Sequence, residues 1–275
     1  MQDIIHNLEQ RLEPIPQNKR MRLRRKKSVD NYFKSREQSE KLTADGNKML
    51  YAHNLIIFRN LEEVLRQEDN RAILAETVDW LEKSAEKITS TELEFSIMPE
   101  ALIMMFYEVK EIVDGMLATN ADKPHVLFAK NYPDGNYDVN KQTAMLGINL
   151  YLPYTCAHEY AHHVSSCSPA QMEWIRSIPH QEGFAYNVGR NALAEYAGNN
   201  SMPLLKKLIF KMDAKRMKKV SSSLNSRHRR FPNRMKFGAY GAAAFLIAEA
   251  IHGKQIYREI IRSANPAEYL INKIK

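Results

Sequence analysis

The chain has 275 residues, of which 44% are hydrophobic and 26% charged, and it carries a net charge of +8. These values are typical of a globular protein with a buried core, and no apolar run approaches the roughly 20 residues that a membrane-spanning helix needs. Residues 1–14 also lack the apolar core of a secretory signal, so we expect a cytoplasmic protein, although export into another cell as an effector fits the same sequence.

The first part of the chain, residues 1–46, is predicted to be a short helix followed by a basic linker or arm. Apolar residues recur at helical spacing up to Leu12, and Pro14 and Pro16 end this pattern. Residues 18–46 are polar and basic, which is typical of a linker.

A helical part is predicted at residues 47–119. Apolar residues return there at helical spacing in three segments, which are residues 47–66, 71–88 and 101–117. The rest of the chain, residues 120–275, is expected to form a separate domain, because the pattern changes from helices to strands at its start.

Two short strands are predicted at the beginning of this domain. Residues 125–129 form an apolar run, residues 131–140 collect Pro, Asp, Gly and Asn as a loop, and residues 143–152 alternate between two faces. If the strand at residues 143–152 has a free edge, an extended peptide can pair with it. An interior strand without a free edge is the alternative.

A His-Glu-x-x-His motif follows directly, at His158, Glu159 and His162. On a helix, residues four apart lie on one face, so the two imidazoles can bind one metal ion. Glu159 would stand beside that ion, where a carboxylate can accept a proton from a water molecule that the metal has acidified. Apolar residues between the motif positions give the helix a side to bury, and we expect it to end within residues 165–169.

A third ligand is expected because catalytic zinc sites have three protein ligands and one open position. Glu182 lies twenty residues after His162, at the start of another predicted helix. Pro179 suits the first turn of that helix, and Gly198 suits its end. A separate apolar run at residues 240–251 predicts a buried helix.

The two motifs together resemble the gluzincin branch of the zincin metallopeptidases, over about residues 120–265. The resemblance rests on the first motif and on Glu-Gly-x-Ala at Glu182. It implies an α+β zincin-like fold with a small, mostly antiparallel sheet on the motif helix and a helix-rich C-terminal part. It also implies Zn²⁺ held by His158, His162 and Glu182, with Glu159 as the general base.

Other site residues are less well defined by the sequence. Gluzincins often place an Asp after the ligand Glu to orient the first His, but Tyr186 and Asn187 occupy that stretch here. Candidates for stabilising the oxyanion are Tyr240, Tyr196 and His228.

His180 is a competing third ligand, since a third His would resemble the SprT-like proteases that act on DNA-bound proteins. We expect the neighbouring His163 to pack or cap rather than to bind metal. Cys156 and Cys167 flank the motif helix too far apart for a disulfide, so both are expected to be reduced.

The positive charge is concentrated in two segments. Residues 19–27 carry seven basic residues, and residues 206–236 carry twelve against the single Asp213. Such clusters predict an acidic substrate, nucleic acid or an anionic membrane surface, and solvated helix faces are the alternative.

The sequence therefore predicts a zinc-dependent peptidase that acts on protein or peptide substrates. The alternative is a basic protein that binds nucleic acid or a membrane surface and whose metal site is structural or vestigial.

Overall fold

The computed structural model describes residues 44–89, 98–130, 132, 134–225 and 234–275. The fold is α+β and mostly helical, as expected. Within the described residues the helices are α1 (Ala44–Leu65), α2 (Glu68–Glu86), α3 (Pro99–Leu117), α4 (Leu152–Ser166), α5 (Gln171–Arg176), α6 (Ile178–Asn199), α7 (Pro203–Asn225), α8 (Arg234–His252), α9 (Gln255–Arg262) and α10 (Pro266–Lys273). The helix predicted before Leu12 lies outside the described residues.

Helices α1, α2 and α3 confirm the three predicted helical segments to within a few residues. Their buried stripes include Leu61, Leu74 and Leu102, none of which is more than 1% exposed. The periodic apolar residues thus form one side of the core, as the helical spacing requires. The short helix α5 was not predicted.

The sheet has three strands in the order β1–β3–β2, where β1 is His125–Ala129, β2 is Gly135–Asp138 and β3 is Thr143–Gly147. Strand β3 pairs in parallel with β1 and antiparallel with β2. The sheet is therefore mixed, and the expectation of a mostly antiparallel sheet was wrong for half of its pairings. The first strand was predicted at its observed bounds.

Two strand predictions need correction. The expected loop at residues 131–140 contains β2, and the strand expected at residues 143–152 ends at Gly147. After Gly147 the chain turns, with the Asn149 side chain accepting a hydrogen bond from the Tyr151 backbone at 2.8 Å. Because β3 is the central strand, it has no free edge, and the role predicted for it in pairing with a substrate was wrong.

The motif helix α4 lies in the middle of the molecule. All 15 of its residues are buried, and it packs against α3, α6 and the two antiparallel strands. One hydrophobic cluster extends through this helix from Ile57 in α1 to Ile274 near the C-terminus. Helix α4 is therefore held from several sides, which fixes the direction of its polar side chains.

The C-terminal half is built on a close pair of helices, α6 and α8. The predicted apolar helix at residues 240–251 is confirmed by α8, whose residues 242–248 are all buried. Both cysteines are free, as predicted. Among the helices in the described ranges, none has both the length and the apolar character needed to cross a bilayer.

Candidate metal centre

His158 and His162 project from one face of α4 into a common space. Their Nε2 atoms lie 3.1 Å apart, and both residues are less than 10% exposed. The helix places them one turn apart, as the motif spacing predicted. Two imidazole nitrogens at this distance could both bind one metal ion.

Glu182 completes the group from the first turns of α6. Its Oε2 atom lies 3.6 Å from His158 Nε2 and 3.9 Å from His162 Nε2. Around a tetrahedral ion bound at about 2.0–2.1 Å, ligand atoms are roughly 3.3–3.4 Å apart. The three observed separations are close to this value, so this group could hold a metal ion.

The backbone of α8 determines where Glu182 lies. A Cβ atom added to Gly183 would lie 2.3 Å from the carbonyl carbon of Gly241, and one added to Gly241 would lie 1.6 Å from the carbonyl oxygen of Pro179. Asn187 joins the same two helices, because its amide donates to the carbonyl of Ala242 at 3.0 Å. The glycines allow α6 and α8 to touch backbone to backbone beside Glu182.

Glu159 is 5% exposed and lies under strand β2. A Cβ atom added to Gly135 would come within 2.4 Å of Glu159 Oε1 and 2.5 Å of Thr155 Cγ2. A larger residue at this position would therefore displace the Glu159 or Thr155 side chain. This contact places the edge strand of the sheet directly against the motif helix.

Comparison of the chain with protein-family models, with curated proteins and with solved structures found no match. The buried His/His/Glu group is thus the observation that points to a function. Three such ligand atoms could hold a metal ion, and a carboxylate next to them can accept a proton.

Two tyrosines for which the sequence predicted no role at the site flank His158. The ring of Tyr154 stacks 5.9 Å from the imidazole, and the ring of Tyr186 lies 4.9 Å from it on another side. The guanidinium of Arg216 lies 3.9 Å from the centre of the Tyr186 ring. Tyr154 is four residues before His158 and Tyr186 four after Glu182, so the helical spacing could have revealed both.

The charges around His158 affect its protonation. Burial lowers the pKa of His158, but the hydrogen bond to Glu182 and the charges of Glu159 and Glu182 outweigh burial and raise the pKa above its ordinary value of 6.5. Nδ1 of His158 has no hydrogen-bond partner among the described residues. The Asp that gluzincins often provide for this nitrogen therefore has no counterpart in the described part of the chain.

His163 packs, as predicted. Its Nε2 lies 2.5 Å from the Asp122 carbonyl oxygen, to which it donates, and its Nδ1 lies 2.7 Å from the Tyr137 hydroxyl. Burial lowers the pKa of His163 below 6.5, which favours the neutral ring that this pairing requires. Both nitrogens are thus occupied away from the metal group.

His180 does not join the two motif imidazoles. Its Nδ1 is hydrogen-bonded to the hydroxyl of Ser177, and its ring is buried near His53. Burial, together with the His53 side chain, lowers the pKa of His180 to about 3. Within the described residues, the metal-ligand group contains Glu182 and not His180.

The oxyanion candidates Tyr240 and Tyr196 have neighbours in other helices, and the third candidate is outside the described residues. Tyr240 packs against Phe58 of α1, with the ring centres 4.5 Å apart. Tyr196 lies near Glu108 of α3, and burial raises its pKa to about 12. His228 is outside the described residues.

The predicted basic face of residues 206–236 is interrupted in its described part. Arg216 points inward, where it donates to the buried Asp213 at 2.8 Å. Lys207 donates to the carbonyl of Ile88, and Lys218 pairs with Glu82 at 2.6 Å. Several of the basic residues therefore have partners within the fold, while the arginines at positions 227, 229 and 230 lie outside the described residues.

Proposed function

We propose that this chain is a zinc-dependent peptidase of zincin-like fold. The observation that carries the proposal is the convergence of His158, His162 and Glu182, with Glu159 adjacent to the first imidazole. Two imidazoles and one carboxylate are a donor set of catalytic zinc sites, which leave a fourth position for water or substrate. Hard cations such as Mg²⁺ and Ca²⁺ prefer all-oxygen sites, so the two imidazoles favour Zn²⁺.

A zinc ion bound there would supply a Lewis acid that polarises a peptide carbonyl and acidifies a water molecule. The protein's own contribution comes mainly from Glu159. Its carboxylate accepts the proton from the attacking water and returns it to the nitrogen of the leaving amine, so that the cleaved bond yields a carboxylate and a free amine. Burial of the carboxylate excludes bulk water, which makes this proton transfer local.

The substrate would lie along β2 rather than β3. Strand β2 is an edge strand of the described sheet, and its first residue, Gly135, lies against Glu159. An extended peptide can pair with an exposed edge through main-chain hydrogen bonds. A peptide added at that edge would pass the proposed base.

The decisive experiment compares metal content and hydrolysis in single variants of the purified chain. We expect about one zinc per wild-type chain and cleavage of a fluorogenic peptide library. Glu159→Gln should keep the zinc and lower the cleavage rate by about 10²–10⁴-fold, because it removes only the proton acceptor. His158→Ala and Glu182→Ala should lose both zinc and activity.

Two matched controls separate the site from general effects. Glu195→Gln changes an exposed carboxylate on the same helix as Glu182, and His125→Ala removes an exposed imidazole in β1. Both should keep zinc and activity. A wild-type chain without bound zinc, or a Glu159→Gln variant as active as the wild type, would refute the proposed function.

A second candidate function is the binding of nucleic acid by a basic protein. The exposed lysines of α7 favour it. Lys211, Lys215 and Lys219 line one groove between α2 and α7. Binding of single-stranded DNA that falls steeply with salt and survives chelation would favour this candidate. For a nucleic-acid-binding protein, Glu159→Gln should leave the affinity for DNA unchanged.

A further inference from the structure

A second cavity lies between α2, α6, α7 and α8, apart from the metal group. Its volume is about 1200 Å³, slightly above the range of roughly 300–1000 Å³ that is usual for small-molecule sites. Helix α6 contributes to both places, with Glu182 at the metal group and Arg190, two turns later, at the cavity. Nothing in the proposed peptidase reaction uses this cavity.

One wall of the cavity is aromatic. Trp80 is 52% exposed, although tryptophan is usually well covered in a folded protein. Its ring lies 5.4 Å from that of Phe210, and the ammonium group of Lys206 lies 5.7 Å from the centre of the Phe210 ring. An apolar group of a ligand can therefore cover Trp80 with the Lys206 ammonium group nearby.

The polar residues at the base of the cavity carry no net charge. Arg190, only 5% exposed, pairs with Glu249, which also accepts hydrogen bonds from Asn191 at 3.0 Å and from Tyr257 at 2.7 Å. Asp213 also lies 3.8 Å from the guanidinium and is paired with Arg216, so the two carboxylates and two guanidinium groups balance within the fold. A ligand needs no charged group to match these residues.

The charge of the cavity comes from its other lining residues. Lys87, Lys206 and Lys254 line it, with Glu76 as an opposing carboxylate. In the described part of the chain, none of the three ammonium groups has a carboxylate within 4.0 Å. These lysines leave an excess of positive charge beside an exposed aromatic wall.

We propose that this cavity binds a small amphipathic anion, that is, one acidic head group on an apolar body. The head group pairs with lysines of the cavity lining, and the body covers Trp80 and Phe210. Charge complementarity selects an anion over a cation, and the apolar wall selects against a small inorganic anion. Dodecanoate has this chemistry and serves as the probe, while dodecanol and dodecyltrimethylammonium have the same chain with a neutral and a cationic head.

The test follows tryptophan emission of the full chain during titration with each compound below its micellar concentration. Trp174 is fully buried, so a change in emission reports Trp80, and Trp80→Phe should remove the signal. Dodecanoate should change the emission in a saturable way. Dodecanol and dodecyltrimethylammonium should bind at least tenfold more weakly, as expected for the loss of two or three partly exposed ion pairs.

Two variants locate the binding. Lys87→Glu with Lys254→Glu should weaken dodecanoate binding at least tenfold, and Ala194→Phe, which places a large side chain on the cavity wall, should abolish it. The matched control is Lys211→Glu with Lys215→Glu, which reverses two exposed charges that line the neighbouring groove. The control should bind like the wild type, and thermal unfolding verifies that each variant is folded.

Three results would overturn the proposal. They are equal affinity for dodecanoate and dodecanol, equal weakening by the cavity and control double variants, or no saturable response to dodecanoate in a folded wild-type chain. None of these measurements depends on zinc or on hydrolysis.

Discussion

Replacing Gly241 by alanine tests whether the contact between α6 and α8 positions the third ligand. The new Cβ atom would lie 1.6 Å from the carbonyl oxygen of Pro179, whereas real contacts of this kind are at least 3.0 Å. The two backbones must therefore separate locally by about 1.4 Å, the difference between these distances. Pro179 lies one turn before Glu182, so the displacement moves the carboxylate.

The expected losses of stability and of zinc affinity follow from this displacement. Overpacking of a core costs about 1–3 kcal/mol, and the gain of up to about 1 kcal/mol that alanine brings to a helix offsets only part of this range. A shift of about 1.4 Å is also several times the roughly 0.2 Å tolerance of metal–ligand distances. We expect Gly241→Ala to unfold several degrees lower and to bind zinc about 10–100-fold more weakly, a loss comparable to that of a ligand-orienting residue.

The assays are thermal unfolding of the metal-free chain and competition with a chromogenic zinc chelator. The matched control is Gly198→Ala, at the other end of α6, where an added Cβ atom meets nothing within 4 Å. That variant should be as stable as the wild type or more stable, and its zinc affinity should not change. If the two variants have the same unfolding temperature and zinc affinity, the contact between α6 and α8 does not position the ligand.

Three further predictions concern stability. Asn54→Ala removes two hydrogen bonds from α1 to the α5–α6 junction and one within α1, to the carbonyl of Leu50, and should lower the free energy of unfolding by about 1–3 kcal/mol in a urea titration. Glu249→Gln removes a partner of the buried Arg190 and should lower the free energy of unfolding by about 3 kcal/mol. The control Glu82→Gln breaks an exposed ion pair and should cost less than about 1 kcal/mol. Equal losses in the two variants would contradict the importance of burial. Chelation should lower the unfolding temperature of a zinc-loaded chain. Where free zinc was 100 times its dissociation constant, the lost stability is about 2.7 kcal/mol, and the unfolding temperature of Glu182→Ala should not change.

The sequence was sufficient for the features that depend on local spacing. His158 and His162 share a face because any helix brings residues four apart together, and Pro179 marks the start of the helix that carries Glu182. The apolar stripes of α1 to α3 likewise follow from helical periodicity.

The errors concern features that depend on tertiary contacts. Gly135 and its polar neighbours suit a turn and so predict a loop, yet Gly135 lies in strand β2, in close contact with the Glu159 side chain. The alternation after Gly147 continued in the sequence, but the Asn149 turn ended the strand. The order of the strands in the sheet could not be obtained from residue patterns alone, since the pairing of β3 with both β1 and β2 is a tertiary feature.

The hydrogen bonds of Asn54 also bear on how the molecule folds. This side chain meets the backbone of Arg176 and Ile178, which lie 122 and 124 residues further along the chain. The start of α6, and with it the approach of Glu182 to the imidazoles, is thus completed by a contact that a growing chain makes late. Long-range contacts of this kind slow folding, so in the proposed metalloenzyme we expect zinc to bind an already assembled protein rather than to initiate its assembly.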